Sequence, residues 1–354
     1  MGRGYVVSLL TLAAVWGASF LFIELALRDL EPTVVIGLRM WIAALLLVPL
    51  LLVREGRGAF GRLRDRGRAL VFLGVVNSAV PFTLIAWGQQ HVDSGVAAIG
   101  NASAPIFVAL LAIRFLPSER VTGLRLAGVV LGLVGVAVLT GVDPDGGWWA
   151  VAGTLAVVLA AISYAVGALF VQTRLGGGGE GLLLAAGSMA VGAVALTPIA
   201  AVQAPSELPG WEALAAVAAL AVGGTAVGIL LYFRLIEQHG STRAALVTYL
   251  LPPTALVYGA ALLDEPLRPS ALAGLALILG GVALGSGVLA HREDEAQIVS
   301  AQAPQPVASA SESAPAASAI LPPAPALKTA ARPSSAAAIA TSERAKTDFE
   351  PRAL

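Results

Sequence analysis

Apolar stretches of about 20 residues, separated by short polar turns, recur along the first 290 positions of the chain. Ten can be marked off, at 5–27, 33–53, 69–88, 94–115, 123–141, 148–171, 181–201, 211–233, 241–263 and 269–290. A helix needs roughly 20 apolar residues to cross about 30 Å of hydrocarbon, so each stretch predicts a membrane-crossing helix. The turns are short enough to make successive helices antiparallel neighbours. Only the 54–68 connection and the segment after residue 290 are long. In that last segment the apolar pattern stops and Ala, Pro and Ser take over, as in Ala303-Pro304-Gln305-Pro306 and Pro322-Pro323-Ala324-Pro325. Such a segment cannot offset the entropy of ordering itself, and 291–354 is expected to be a disordered cytoplasmic tail.

The pattern also repeats at longer range. Ser94, Ala97, Ala98 and Pro105 fall on Ser241, Ala244, Ala245 and Pro252 at one offset. After a slip of one residue, Glu119, Gly128 and Gly135 fall on Glu265, Gly274 and Gly281. Each block reads as a small-residue helix, a Pro, a short acidic turn and a Gly-striped helix. Five helices per copy is an odd number, so the second copy must enter the membrane inverted, a device of transporters that open to either side in turn. The fold expected is an all-α polytopic membrane protein of ten helices in two inverted five-helix repeats, 5–141 and 148–290.

Composition agrees with lipid as the main solvent. The chain is 57% hydrophobic and 12% charged, against about 25% charge in a soluble domain. Net charge is zero, which gives no general field for nucleic acid. There is no Cys, and the three His (His91, His239, His291) are scattered near helix ends. Disulfides, thiolate sites and Cys nucleophiles are therefore excluded and a zinc site has little support; no metal or other cofactor is expected. Arg placement sets orientation. Arg54, Arg57, Arg62, Arg64, Arg66, Arg68, Arg114, Arg120, Arg174, Arg234, Arg243 and Arg292 fall on one side of a ten-span chain, and Arg28 and Arg268 on the other. Both termini should be cytoplasmic. The first helix loosely resembles a signal peptide but is expected to be retained, because the repeat needs it as the partner of helix six.

Several of these residues carry a family resemblance. Trp16-Gly17-Ala18-Ser19-Phe20 resembles the WG-x-x-F opening motif of EamA-type transporters in the drug/metabolite transporter superfamily. Arg39 matches that family's membrane-embedded Arg. Pro105, Glu119-Arg120 and Gly128 resemble its P…ER…G block, and Pro252, Asp264-Glu265-Pro266 and Gly274 resemble a second copy. The resemblance covers residues 5–290 and implies a basket of ten helices around a central cavity. Helices one, three, four, six, eight and nine would line it, with five and ten bracing the outside. It also implies the movement of amino acids, amines, sugars, nucleotide precursors or drugs, usually outward across the inner membrane. Helix six departs from the pattern, with Ser163-Tyr164-Ala165 where a mirror of helix one would have Trp-Gly.

The candidate cavity residues are Trp16, Ser19, Asn77, Asn101, Tyr164, Thr248 and Tyr249, with Ser103 beside them. Neutral donors, acceptors and aromatic faces suit a small amphipathic or zwitterionic solute, although each residue alone could serve as an interhelical hydrogen bond. Arg39 lies about a third of the way into helix two, and an Arg at that depth must be paired or hydrated. Glu24 is the nearest acid by depth, so a Glu24–Arg39 pair is expected, as a gate or proton-coupled switch or as a static brace. Pro81, Pro105 and Pro252 are hinge candidates, since each removes a helix hydrogen bond and the freed carbonyl needs protein or a wet cavity. Glu119 and Glu265 are repeat markers, expected to accept from the free N–H groups of the helix that follows each. Trp87, Gln89 and Gln90 read as interfacial anchors or entrance residues. The Gly stripes read as packing surfaces. The glycines at 176–179 lack the Lys-Ser/Thr of a phosphate loop.

The partners expected are a small-molecule substrate and the lipid bilayer, with protons a candidate coupling ion. The function expected is secondary export of a small metabolite, such as an amino acid or amine, across the bacterial inner membrane by alternating access. Lipid or lipid-linked sugar translocation is the alternative. No constellation of Cys, clustered His or paired intramembrane acids supports an enzyme.

Overall fold

In the computed structural model the structure describes residues 3–115, 123–140, 147–175 and 180–285. Glu119, the glycine run 176–179 and the 291–354 tail lie outside the described residues. Ten apolar helices are named in chain order: α1 (Arg3–Ala26), α2 (Pro32–Glu55), α3 (Gly67–Gln89), α4 (Ser94–Asn101 and Ala104–Phe115), α5 (Leu124–Thr140), α6 (Gly147–Arg174), α7 (Gly181–Val202), α8 (Trp211–His239), α9 (Ser241–Ala245 and Val247–Leu262) and α10 (Pro269–Gly285). A short amphipathic helix, Gly58–Asp65, fills the long connection after α2. Among the described residues all regular structure is helical. Eight of the ten helices are long and apolar enough to cross a membrane, and α5 and α10 are shorter apolar helices.

Local chemistry fixes most ends. Pro32 and Pro269 open α2 and α10, where a missing N–H costs nothing. Gly56 and Gly240 close α2 and α8 with positive φ, the conformation glycine adopts without penalty. In α4 the two segments meet at Ala102-Ser103, and Pro105 starts the second one. Ser103 Oγ donates to the Gly100 carbonyl at 2.6 Å across that break.

Helix contacts recur under an exchange of each helix with the one five later. α3 packs on α6 as α8 packs on α1, α3 on α7 as α8 on α2, and α4 on α6 as α9 on α1. The corresponding helices α2 and α7 also pack on each other, as do α5 and α10. Both of these pairs run antiparallel. On the α2–α7 seam Thr33 bonds Gln203, Gly37 faces Ala200 and Met40 faces Gly192. On the α5–α10 seam Gly132 meets Gly281, Gly135 meets Ile278, and Leu139 meets Gly274. Here the two Gly stripes close on each other, as packing surfaces should. A β-carbon on Gly281 would lie 2.5 Å from Gly132 N and 2.6 Å from Gly128 O.

Contacts also define two ends of the bundle. At one, Arg66 pairs with Glu180 at 3.0 Å and Tyr5 donates to the Arg243 carbonyl. At the other, Asp93 pairs with Arg268 at 3.8 Å, the Gly210 N–H donates to Asp29 Oδ2 at 2.7 Å, and Glu24 meets Gln89. The Arg-rich loop after α2 belongs to the first end and Arg268 to the second, so among the described residues the Arg-rich side of the sequence falls at one end of the bundle.

Candidate functional site

A cavity of about 1790 Å³ runs from mid-bundle to the Arg-rich end. Arg54, Glu55, Glu180, Arg234 and Glu237 lie at its mouth, and Trp16, Ser19, Arg39, Asn77, Phe82 and Tyr164 at its depth. Its walls include the expected helices one, three, four, six, eight and nine. They also include α2, through Arg39, α7, through Ser188 and Met189, and the two helices expected only to brace the outside, α5, through Val129, and α10, through Gly281 and Val282. The family resemblance implied none of these four helices in the lining.

Two helices of the cavity wall, α3 and α8, occupy corresponding places in the two halves, and each contains a π-helical turn: Val75–Ala79 in α3 and Leu220–Val227 in α8. Such turns offer side chains in a register an α-helix does not, and they collect at functional sites. In α3, Val80 N–H donates to Val75 O, five residues back. The next carbonyl, Val76 O, would need residue 81, which is Pro81 and has no N–H. Ser163 of α6 supplies the missing donor, its Oγ 2.5 Å from Val76 O. The π turn places Asn77 in the cavity wall against Gly167 of α6, where a β-carbon would collide with the amide. In α8, Gly224 and Gly228 likewise leave the space that Ser19 and Trp16 of α1 occupy. Trp16 also meets Tyr232, ring centroids 5.2 Å apart.

Arg39 is 7% exposed. Its Nε donates to Thr225 Oγ1 at 2.8 Å, and Thr225 donates in turn to Leu220 O within the α8 π turn. The guanidinium lies 4.0 Å above the Phe82 ring, and Phe82 meets Tyr164 edge-on at 6.3 Å. The expected Glu24–Arg39 pair does not form. Arg39 is seven residues into α2, about 10 Å deep at 1.5 Å per residue, whereas Glu24 is only two residues from the end of α1. Glu24 Oε2 instead accepts from Gln89 Nε2 at 3.3 Å, outside the cavity lining. Gln89, expected at the interface, is 4% exposed and also donates to Phe20 O at 3.0 Å.

Of the other expected site residues, Trp16, Ser19, Asn77, Asn101, Tyr164 and Thr248 line the cavity. Asn101 Oδ1 is buried with no hydrogen-bond partner among the described residues. Tyr249 is not in the lining. It packs against the apolar cluster that holds Ile99, Ile106 and Val129, because successive residues of a helix point about 100° apart and Thr248 takes the cavity side. Among the hinge candidates Pro105 lines the cavity, while Pro81 and Pro252 are buried behind it.

Away from the mouth the bundle is shut. Glu265, expected to cap the helix that follows it, caps the start of α4 instead: Ser94 N–H donates to Oε1 at 2.8 Å, Ser94 Oγ–H to Oε2 at 2.9 Å, and Gly95 N–H to Oε2 at 3.2 Å. Asp264 takes a left-handed conformation, φ 57°, and folds Glu265 N–H back to Gly259 O at 3.1 Å. That turn aims the carboxylate across the bundle, and Gly259 leaves room for it. Ring contacts from Trp87 to His91 and from His91 to Trp149 close the same end between α3 and α6.

The sequence matches a family of transporters. The EamA-like transporter family matches the chain over residues 3–141 and 151–287. The uncharacterized inner membrane transporter YedA of Escherichia coli strain K12 is 26% identical over 288 residues, covering 78% of this chain and 89% of that protein. A probable terminal-alkyne amino-acid exporter of Streptantibioticus cattleyicolor is 31% identical over 235 residues, covering 64% of this chain and 76% of that one. A solved crystal structure superposes with a TM-score of 0.59 at 20% identity, over 83% of this chain and all of that chain, a likeness of fold. With its apolar helices and its central cavity, the chain is an integral membrane protein with a small-molecule substrate and belongs to the EamA-like transporter family.

Proposed function

We propose that the protein is a secondary transporter of the bacterial inner membrane that exports a small metabolite, an amino acid or amine, by alternating access. In this reading ten helices form two inverted five-helix repeats, 5–141 and 148–290, with both termini and the 291–354 tail in the cytoplasm. The observation that carries it is the cavity: its walls come from both halves, its mouth lies at the Arg-rich end, and bonds between the halves shut the other end. An Arg-rich end belongs in the cytoplasm, so this is an inward-open arrangement. The antiparallel α2–α7 and α5–α10 seams support inversion, because parallel repeats would set corresponding helices parallel. Trp16, Ser19, Asn77, Asn101, Tyr164 and Thr248 bind the solute, and Arg39 gates or orients it. The solute gradient or a proton gradient drives the cycle, with Glu24, an acid within the apolar span of α1, the candidate proton carrier.

The test is efflux from proteoliposomes preloaded with labelled amino acids and amines, with and without an imposed pH gradient. Release of one or a few compounds supports the reading, and acceleration by the gradient adds proton coupling. No release by folded protein overturns it.

A further inference from the structure

Among the described residues Arg39 is the one charged residue at the depth of the cavity. The other charged groups of the lining, Arg54, Glu55, Glu180, Arg234 and Glu237, sit at or near helix ends by the mouth, where Glu55 is paired with Arg62 and Glu180 with Arg66. Among the described residues no carboxylate comes within ion-pair range of Arg39. Only its Nε is engaged, by the neutral Thr225 hydroxyl, and one of its faces is covered by Phe82. The Nη groups have no acceptor among the described residues, and Arg39 lines the cavity.

A guanidinium in apolar surroundings with its fork unengaged is a poor place for a second cation and a good one for a planar anion, which it meets with two parallel hydrogen bonds. One positive charge matches one carboxylate; a phosphate dianion would leave a charge over in a largely apolar chamber. Phe20, Ile23, Phe82 and Ile85 line the cavity around this depth and suit an apolar body.

The geometry points to Arg39 as the group that holds a carboxylate of the cargo. The cavity then takes small monocarboxylates with an apolar body, amino acids among them, and turns away amines that lack an acid group. This rests on the cavity being the transport site, and it divides the two solute classes left open above.

The test is direct binding to the purified full-length protein, by calorimetry and thermal shift. The probes are alanine, leucine and phenylalanine, each with its carboxylic acid lacking the amine, its methyl ester and its decarboxylated amine, with inorganic phosphate alongside. At least one amino acid and its matching acid should bind, with ester, amine and phosphate weaker by about tenfold or more, the worth of a charge-assisted pair. Arg39→Gln should bring the acid down to the level of the ester. Arg39→Lys, which keeps the charge and loses the fork, should retain part of the preference and guards against a misfolded Gln variant. Esters, amines or phosphate within about threefold of the acids, a preference that survives Arg39→Gln, or no acid bound at all would overturn the assignment. Acids that bind but do not cross proteoliposomes would leave this assignment standing and sink the transport reading; amines that cross freely would do the reverse.

Discussion

Glu265 and Ser94 lie 171 residues apart in sequence, yet both the backbone N–H and the hydroxyl of Ser94 donate to the Glu265 carboxylate, at 2.8 and 2.9 Å. The contact joins the two halves of the chain at the end opposite the cavity mouth. It ties the turn after α9 to the start of α4, so it must break whenever that end opens. Glu265→Gln keeps the shape and weakens the bonds. Loss of a helix cap costs about 0.5–2 kcal/mol, and here the loss falls on the inward-open state. The native chain has no Cys, so one introduced thiol is a clean reporter. In Glu265→Gln, a thiol placed by Ile85→Cys should react faster with a reagent added from the closed end than in the Glu265 background.

The Pro81–Ser163 relation allows a rescue experiment. Ser163→Ala leaves Val76 O in the membrane without a donor, a loss of about 1–3 kcal/mol. Pro81→Ala restores an N–H in the register that Val76 O needs. The double variant should therefore recover much of the thermal stability lost by Ser163→Ala. Additive losses would mean that the Ser163 bond does not replace the proline's missing donor.

The seam of α5 and α10 separates two adjacent glycines. A β-carbon on Gly281 meets backbone of α5 at 2.5 and 2.6 Å, whereas on Gly280 the nearest group is a Leu131 methyl at 3.6 Å. Gly281→Ala should lower stability by about 1–3 kcal/mol, the range for overpacking. Gly280→Ala should be neutral or slightly stabilising in a helix. Thermal unfolding of the two variants side by side decides it.

Thr225 is the acceptor that Arg39 has within the protein. Thr225→Val removes it at nearly constant volume and leaves a buried N–H on a cation unsatisfied, a cost of about 1–3 kcal/mol. Thr225→Ser retains the hydroxyl and should stay close to the parent. Equal melting temperatures for Val and Ser would show that Arg39 does not depend on this bond.

Helix spans were legible in the sequence because a 20-residue apolar run has few other uses, and the expected ends agree with α2, α4 and α7 to within a few residues. The cavity residues Asn77, Asn101 and Tyr164 were legible because neutral polar groups in lipid need a wet or bonded setting. What the sequence hid were relations that depend on rotation and on distance across the fold. A π turn shifts every later side chain by about a third of a turn without a signature of its own, so Thr225 gave no sign that it would face Arg39. Depth along a helix can be counted but azimuth cannot, so nothing in the sequence turned Arg39 toward Thr225 and Phe82. Glu265 read as a local cap because neighbouring N–H groups are the default partners of a turn carboxylate; only the left-handed Asp264 turns it toward Ser94. Tyr249 shared the polarity of Thr248 but lies one residue round the helix, behind the wall.

Alternating access between the two halves is tested most directly by fastening the closed end. Asp93 and Arg268 face each other across it, and in a chain without Cys the pair Asp93→Cys and Arg268→Cys can be joined by a reducible bifunctional thiol reagent. Efflux from proteoliposomes of a solute that the uncross-linked variant carries is then measured before cross-linking, after it, and after reduction. Cross-linking is expected to abolish efflux, and reduction to restore it, with solute still binding to the fastened protein. Undiminished efflux through a fully cross-linked protein would contradict a cycle in which this end has to open.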